Sequence, residues 1–267
     1  MVIKNGLTKA LEREEFTLYY QPKIGLVDGC ITGVEGLLRW RNPELGMVSP
    51  VKFIPIMEET GMIGPVGEWV IEVACQQHKQ WAAEGFPIRV AVNLSVRQLR
   101  QPGLAKTVDR ILSAAGIPPS GLELEITESM IMKDTENAVS ILRELHEMGI
   151  HLAMDDFGTG YSSLSYLKRF PLHTIKIDRS FVNDIAVDTD DHEIIKTIIT
   201  MGHSLRRRIV AEGVETVEQL AILKRLACDE IQGYLVSPPV PAVELSRLLK
   251  LHESSNGQAQ FLPEGVD

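Results

Sequence analysis

Short β-branched runs alternate with longer amphipathic segments along almost the whole chain, and this alternation constrains the fold more than any other feature. A parallel strand pair needs a helix-length connection, so repeated units of this kind pack as a largely parallel sheet with helices outside it. Strands are expected at Phe16–Ile24, Ile31–Trp40, Ile88–Leu94, Leu122–Ile126, His151–Met154, Thr174–Ile177, Arg208–Ala211 and Glu230–Gln232. Only Gly25–Cys30 separates the first two, with Asp28-Gly29 as a turn signal, so these two form an antiparallel hairpin. Helices join the rest. From Asp134 to Met148, Asp134 is placed to cap, Ala138, Ile141, Leu142, Leu145 and Met148 form one apolar face, and Gly149 takes the left-handed C-terminal position. The segments Pro65–Gly85, Leu104–Ala115, His192–Leu205 and Thr216–Leu226 read alike.

The 267 residues, 44% of them hydrophobic, suit one α/β barrel of roughly 250 residues better than two small domains. The domain is expected over residues 1–252, with the polar, Gly-bearing stretch Glu253–Asp267 as a flexible tail. A formal net charge of -9 argues against a long nucleic-acid partner, whose phosphates demand clustered Lys and Arg. Arg206-Arg207-Arg208 reads as a solvated turn before a strand. Cys30, Cys75 and Cys228 are isolated and lack a CxxC spacing, which points to reduced, mostly buried thiols and a cytoplasmic setting. No apolar run approaches the roughly 20 residues of a membrane helix, and the N-terminus lacks the pattern of a signal peptide, so no direct membrane contact is expected of this domain. A domain cut from a membrane-anchored or multidomain parent would read the same way.

Side chains alternate along a strand, and in a β/α barrel the chemistry gathers at the C-terminal mouth. The strands here end in polar residues on the lumen face: Glu35 and Arg39, Asn93, Glu125, Asp155, Lys176, Glu212 and Gln232. The pair Asp155-Asp156 is the sharpest of these signals, because adjacent carboxylates repel unless a cation neutralises them. Carboxylate and amide oxygens, with no Cys or His at the mouth, favour Mg²⁺ or Mn²⁺ over Zn²⁺. Glu35, Glu125, Asp155, Asp156 and Glu212 carry five negative charges against one positive from Lys176, which two dications would neutralise. Two ions in one site suit in-line displacement at phosphorus by a metal-bound hydroxide. The Gly158-Thr159-Gly160 loop is expected to let the two aspartates adjust, and His151 and His173, at strand starts, to be structural.

Glu35-Gly36-Leu37-Leu38-Arg39-Trp40, Asn93-Leu94-Ser95, Glu125-Ile126-Thr127-Glu128, Asp155-Asp156-Phe157-Gly158-Thr159-Gly160, Lys176-Ile177-Asp178, Ala211-Glu212-Gly213-Val214-Glu215 and Gln232-Gly233-Tyr234 together resemble the ordered motifs of bacterial EAL domains, phosphodiesterases that open cyclic di-GMP. The resemblance runs from about Leu18 to Pro241. It implies a modified (β/α)8 TIM barrel with an antiparallel first strand and hydrolysis of cyclic di-GMP to linear 5'-pGpG. It implies that Glu35, Asn93, Glu125 and Asp155 bind one metal ion, and that Asp155, Asp156 and Glu212 serve a second. By the same resemblance Glu128 holds the loop after Asp155-Asp156, and Arg39 contacts a substrate phosphate. Gln21, Leu37, Glu215 and Gln232 line nucleotide or water sites, with Asp156 also near the substrate. Lys176 counts among the catalytic residues with Glu35, Glu212 and Glu128. An ammonium among carboxylates has its pKa raised, however, so Lys176 is expected to orient the attacking oxygen and offset charge rather than act as a base. The resemblance further implies a homodimer and a parent chain with sensor or cyclase domains.

Two positions depart from the pattern. Gly36 replaces the alanine of the family's name, with little effect expected beyond backbone freedom. Pro238 stands where members often carry Arg or Lys, which removes a basic contact to the nucleotide. The second function considered is a catalytically silent cyclic di-GMP receptor; the complete ligand set argues for the enzyme. A sugar or enolate barrel using one Mg²⁺ finds no matching motif.

Overall fold

The computed structural model describes residues 2–132, 135–160 and 167–254. Its strands are β1 (Phe16–Gly25), β2 (Ile31–Asn42), β3 (Gly46–Val48), β4 (Arg89–Asn93), β5 (Leu122–Thr127), β6 (His151–Phe157), β7 (Thr174–Ile177), β8 (Arg208–Glu212), β9 (Glu230–Gln232) and β10 (Val240–Pro241). They follow the order β10-β1-β9-β8-β7-β6-β5-β4-β2-β3, and a further pairing of β1 with β2 closes the sheet into a barrel. The pairings from β2 through β4, β5, β6, β7 and β8 to β9 are parallel. Strand β1 runs antiparallel to both β2 and β9. The expected barrel with an antiparallel first strand is therefore the observed one, with β3 and β10 as short additions at its rim.

The same alternation that marks the strands explains their burial. In β5, Leu122, Leu124 and Ile126 are fully buried toward the helix layer, while Glu123 and Glu125 point into the lumen and are also buried. The helix Ile63–Ala83 lays Val66, Val70, Ile71, Ala74 and Trp81 on the barrel. Trp81 meets Tyr20 of β1 edge-on, with ring centroids 5.0 Å apart. A buried Glu15 takes hydrogen bonds from Trp40 Nε1 at 2.8 Å and Asn42 Nδ2 at 3.1 Å, fixing the far end of the hairpin.

Several boundaries differ from those read in the sequence. Strand β6 continues past Met154 to Phe157, with a register shift against β7 between those residues. The helix Pro50–Thr60 was not anticipated; Pro50 opens it and Pro55 interrupts its pattern. The helix expected from Asp134 is described from Thr135, so the Asp134 cap lies outside the described residues, whereas Gly149 takes the left-handed conformation at φ 91°. The last helix spans Ala242–Ser254, which makes the start of the expected tail helical, and residues 255–267 lie outside the described residues. Arg206 turns at φ 58° into β8, as expected of the arginine run. Cys75 and Cys228 are buried free thiols and Cys30 is partly covered. Among the described residues, no helix is long and apolar enough to cross a membrane.

Candidate active site

The middle of β2 and the C-terminal ends of β4, β5, β6, β7, β8 and β9 bring the expected polar residues to one mouth. Lateral register sets the arrangement: Gln21 lies opposite Glu35, Asn93 opposite Glu125, and Glu212 opposite Gln232. At the centre stands Lys176, whose side chain is fully buried. Its Nζ lies 2.6 Å from Glu125 Oε2, 2.7 Å from Glu212 Oε1, 3.1 Å from Asp155 Oδ1 and 3.4 Å from Glu35 Oε2. One ammonium thus serves carboxylates from four strands. Burial alone would pull the Lys176 pKa down, but Asp155, Glu125, Glu212 and Glu35 outweigh it and hold the group well above its ordinary value. Lys176 is an ammonium at neutral pH.

The carboxylates divide by how well that ammonium reaches them. Burial works against the charged form of Glu125, yet Lys176 and a second lysine, Lys23, bring its pKa down to about 2. Burial pushes the Glu35 and Glu212 carboxyls up; Lys176 opposes the rise, and neighbouring carboxylates add to it. Asp156 is raised to about 6, first by burial and then by Asp155 and Asp178. Counted as ionised, the carboxyls of the mouth outnumber the ammoniums that reach them, and the raised Glu35, Glu212 and Asp156 carboxyls register that excess as a readiness to hold protons.

Two neighbours in a regular strand point to opposite faces. Asp155 and Asp156 escape that rule because Asp156 sits in the left-handed region at φ 53°, within the register shift at the end of β6. Aspartate tolerates this conformation better than most residues. Ligand atoms of Asp155, Asp156 and Glu212 consequently lie within 4.8 Å of one another. Behind them, the Gly158 amide donates to Glu128 Oε2 at 3.3 Å. Gly158, at φ 101°, packs where a Cβ would strike Phe181, and Gly160 packs against the Glu128 carboxylate. Residues 161–166 lie outside the described residues.

Asn93 Nδ2 donates to Glu35 Oε1 at 2.7 Å, and Gln232 Nε2 donates to Glu35 Oε2 at 2.7 Å and to Gln21 Oε1 at 3.1 Å. Gln21 in turn donates to the Ser237 carbonyl at 3.0 Å. Leu37 and Arg39 are half-buried at the rim, where the Arg39 guanidinium lies 5.5 Å from the Tyr19 ring centroid. The Glu215 side chain is exposed, and its backbone N–H is held by Gln219 Oε1 at 2.7 Å. A cleft of about 200 Å³ opens beside the mouth, lined by Leu37, Arg39, Pro50, Ile54, Asn93 and Gln98 among others.

The donor set fits a hard divalent cation. Its oxygens come from carboxylates and amides; among the described residues Gln232 Oε1 is buried without a hydrogen-bond donor, and Asp155 Oδ1 is buried with the Lys176 ammonium at 3.1 Å as its ion-pair partner but no well-aligned hydrogen bond. The Lys176 ammonium marks where positive charge is most stabilised. Sequence reading overlooked Lys23 and Glu123, one layer below the mouth, and the role of Asp178, which caps the helix Arg179–Asp184 beside Asp156. Period-two spacing held the signal for the first two, since Lys23 follows Gln21 and Glu123 precedes Glu125 by two residues.

An eight-strand barrel with carboxylates gathered at its mouth, close enough together to hold a metal ion, places the chain in the class of β/α-barrel proteins with an acidic site at the C-terminal face. Within it, a family profile narrows the match: the EAL domain pattern covers residues 4–239, and this chain belongs to the EAL domain family. The bifunctional diguanylate cyclase/cyclic di-GMP phosphodiesterase MucR of Pseudomonas aeruginosa is 46% identical over 242 residues, 90% of this chain and 35% of MucR. The cyclic di-GMP phosphodiesterase NbdA of the same organism is 41% identical over 251 residues, 94% of this chain and 32% of NbdA. The chain therefore spans about a third of the length of these curated relatives. The solved PaMucR phosphodiesterase in complex with c-di-GMP superposes with a TM-score of 0.89 at 45% identity, covering 92% of this chain and all of that one.

Proposed function

We propose that this EAL domain hydrolyses cyclic di-GMP to linear 5'-pGpG with Mg²⁺ or Mn²⁺ bound at the mouth, two ions per site. The observation that carries the reading is the fully buried Lys176 ammonium shared by Glu35, Glu125, Asp155 and Glu212, a cluster too anionic for its own cations. Glu35, Asn93, Glu125 and Asp155 are the proposed ligands of one ion, and Asp155, Asp156 and Glu212 of the other. Such ions lower the pKa of bound water and polarise phosphoryl oxygens.

The chain's own residues supply the rest. Lys176, kept protonated by its carboxylates, donates hydrogen bonds and offsets negative charge as the phosphorus centre gains an oxygen. Arg39, at the rim, is placed to pair with the phosphate. The apolar cleft lined by Leu37, Pro50 and Ile54 offers a surface for a flat base. Gln21 and Gln232 fix Glu35 and leave Gln232 Oε1 free as an acceptor. Glu128, through the Gly158 amide, ties the loop after the two aspartates, and the exposed Glu215 side chain is the proposed contact to the nucleotide or its water shell. A homodimer, a cytoplasmic setting, and sensor or cyclase domains in a longer parent belong to the same reading.

Incubation of the purified chain with cyclic di-GMP in Mg²⁺, in Mn²⁺ and in EDTA, with products separated chromatographically, tests it. Linear dinucleotide is expected with either ion and not in EDTA. Binding without product in Mg²⁺ and Mn²⁺ would replace the enzyme with a silent receptor.

A further inference from the structure

Below the mouth, the barrel interior carries a second buried ammonium that the proposed reaction does not use. Lys23, on the antiparallel strand β1, reaches across the lumen to β5, where its Nζ lies 2.6 Å from Glu123 Oε1 and 2.7 Å from Glu125 Oε1. The three side chains are 4%, 5% and 0% exposed, so these are desolvated contacts rather than surface pairs. Glu123 is steadied from below by Arg89, at 3.5 Å from its Oε2, and Arg89 reaches His151 Nε2 at 3.0 Å. Charges alternate up the barrel axis: Arg89, Glu123, Lys23, Glu125, Lys176 and then the carboxylates of the mouth.

The two oxygens of Glu125 are divided between two ammoniums. Oε1 faces down to Lys23 and Oε2 faces up to Lys176 at 2.6 Å. A carboxylate gripped at one oxygen from below has its plane, and so the direction of its other oxygen, set before any ligand arrives. We propose that Lys23 is a positioning residue for Glu125, holding Oε1 so that Oε2 is presented to the cation site at the mouth. The inference rests on the cation-dependent reading given above and adds a residue from outside the mouth to it. Partners that orient a ligand in this way typically change metal affinity by about 10- to 100-fold when removed.

Charge and orientation pull in opposite directions in the simplest variant. Lys23→Met removes a positive charge, which strengthens attraction for a dication, and also removes the grip on Oε1, which weakens it. It further leaves Glu123 with only the longer Arg89 contact and Glu125 with Lys176 alone, which endangers the fold. The double variant Lys23→Met/Glu123→Gln removes one charge of each sign and isolates orientation; Arg89, 31% exposed, then turns to solvent. Mn²⁺ affinity without substrate is read by electron paramagnetic resonance of free Mn²⁺, alongside thermal unfolding in EDTA.

The double variant is expected to fold and to bind Mn²⁺ about 10-fold or more weakly than the unaltered chain. Unchanged Mn²⁺ affinity, with or without a lower melting temperature, would reduce Lys23 to a structural ion pair and overturn the proposal. If the unaltered chain takes up no Mn²⁺, the cation-dependent reading fails first, and the positioning role with it.

Discussion

The two ends of the barrel carry buried charge under opposite rules. At the N-terminal end each carboxylate has its own cation: Arg208 meets Glu230 at 2.9 Å, and Glu123 is shared by Lys23 at 2.6 Å and Arg89 at 3.5 Å. Three histidines stack there as well, with His173 ring centroids 4.8 Å from His146 and 4.3 Å from His151. At the C-terminal mouth, Lys176 is shared by Glu35, Glu125, Asp155 and Glu212, of which only Glu125 has a second cation, Lys23, among the described residues, and Asp156 adds a further carboxyl beside them. The first arrangement is closed and serves stability. The second stays short of positive charge until a cation arrives, which is the condition a binding site needs and a core avoids.

Removing the central ammonium should strain that contrast most. Lys176→Met leaves Glu35, Asp155 and Glu212 without their cation and Glu125 with Lys23 alone, and is expected to destabilise the metal-free chain by about 3–5 kcal/mol. With Mn²⁺ present much of that loss should be recovered, while kcat falls on the order of 10²-fold. Because Lys176 is not the base, the acidic limb of the pH–rate profile should persist. Loss of that limb would assign the titrating proton to Lys176 and overturn its role as a fixed charge.

The N-terminal end should answer to pH instead. Burial, helped by His151 and His146, pulls the His173 pKa down to about 4 from an ordinary 6.5. The unfolded chain therefore binds the proton more readily, so the stability this group contributes is present above pH 6.5 and is lost as pH falls toward 4. Neutral His173 accepts a hydrogen bond from the Leu152 amide at 3.1 Å, a bond the protonated ring cannot make. His173→Gln, which keeps an acceptor, should flatten the melting-temperature profile between those pH values without changing turnover at pH 8. Parallel profiles for the two proteins would show that the histidine stack carries no pH sensitivity.

The smallest effect is expected at Gly36. A Cβ there would meet the Ala91 carbonyl at 3.4 Å and Leu18 Cδ1 and Val92 Cγ1 at 3.5 Å, all ordinary contacts on the side away from the cup. Gly36→Ala should raise stability by up to ~1 kcal/mol through lower unfolded-chain entropy and leave kcat within about twofold. A larger loss of activity would mean that backbone freedom in β2 takes part in the chemistry.

Much of this contrast could be read from the sequence where periodicity and residue type agreed. The strands β1, β2, β4 to β9 emerged from β-branched runs, and Glu35, Asn93, Glu125, Asp155, Lys176, Glu212 and Gln232 from their position at strand ends. The helix Pro50–Thr60 escaped because Pro55 sits inside it, and β3 and β10, three and two residues long, are too short to show a period. The extension of β6 to Phe157 depends on the left-handed backbone of Asp156, which no alternation pattern encodes. Lys23 was passed over for a different reason. A lysine within a strand reads as solvent-facing until a partner across the barrel is known, and Glu123 is separated from it by 100 positions.

The claim that the mouth is a cation site held in deficit is tested most directly by melting the unaltered chain and Asp155→Asn, each in EDTA and in saturating Mn²⁺. A ligand that binds only the folded state raises stability with its concentration. The unaltered chain should melt at a clearly higher temperature with Mn²⁺. Asp155→Asn should be at least as stable as the unaltered chain in EDTA and gain little from the ion. Equal Mn²⁺ shifts in both proteins, or none in either, would contradict the account.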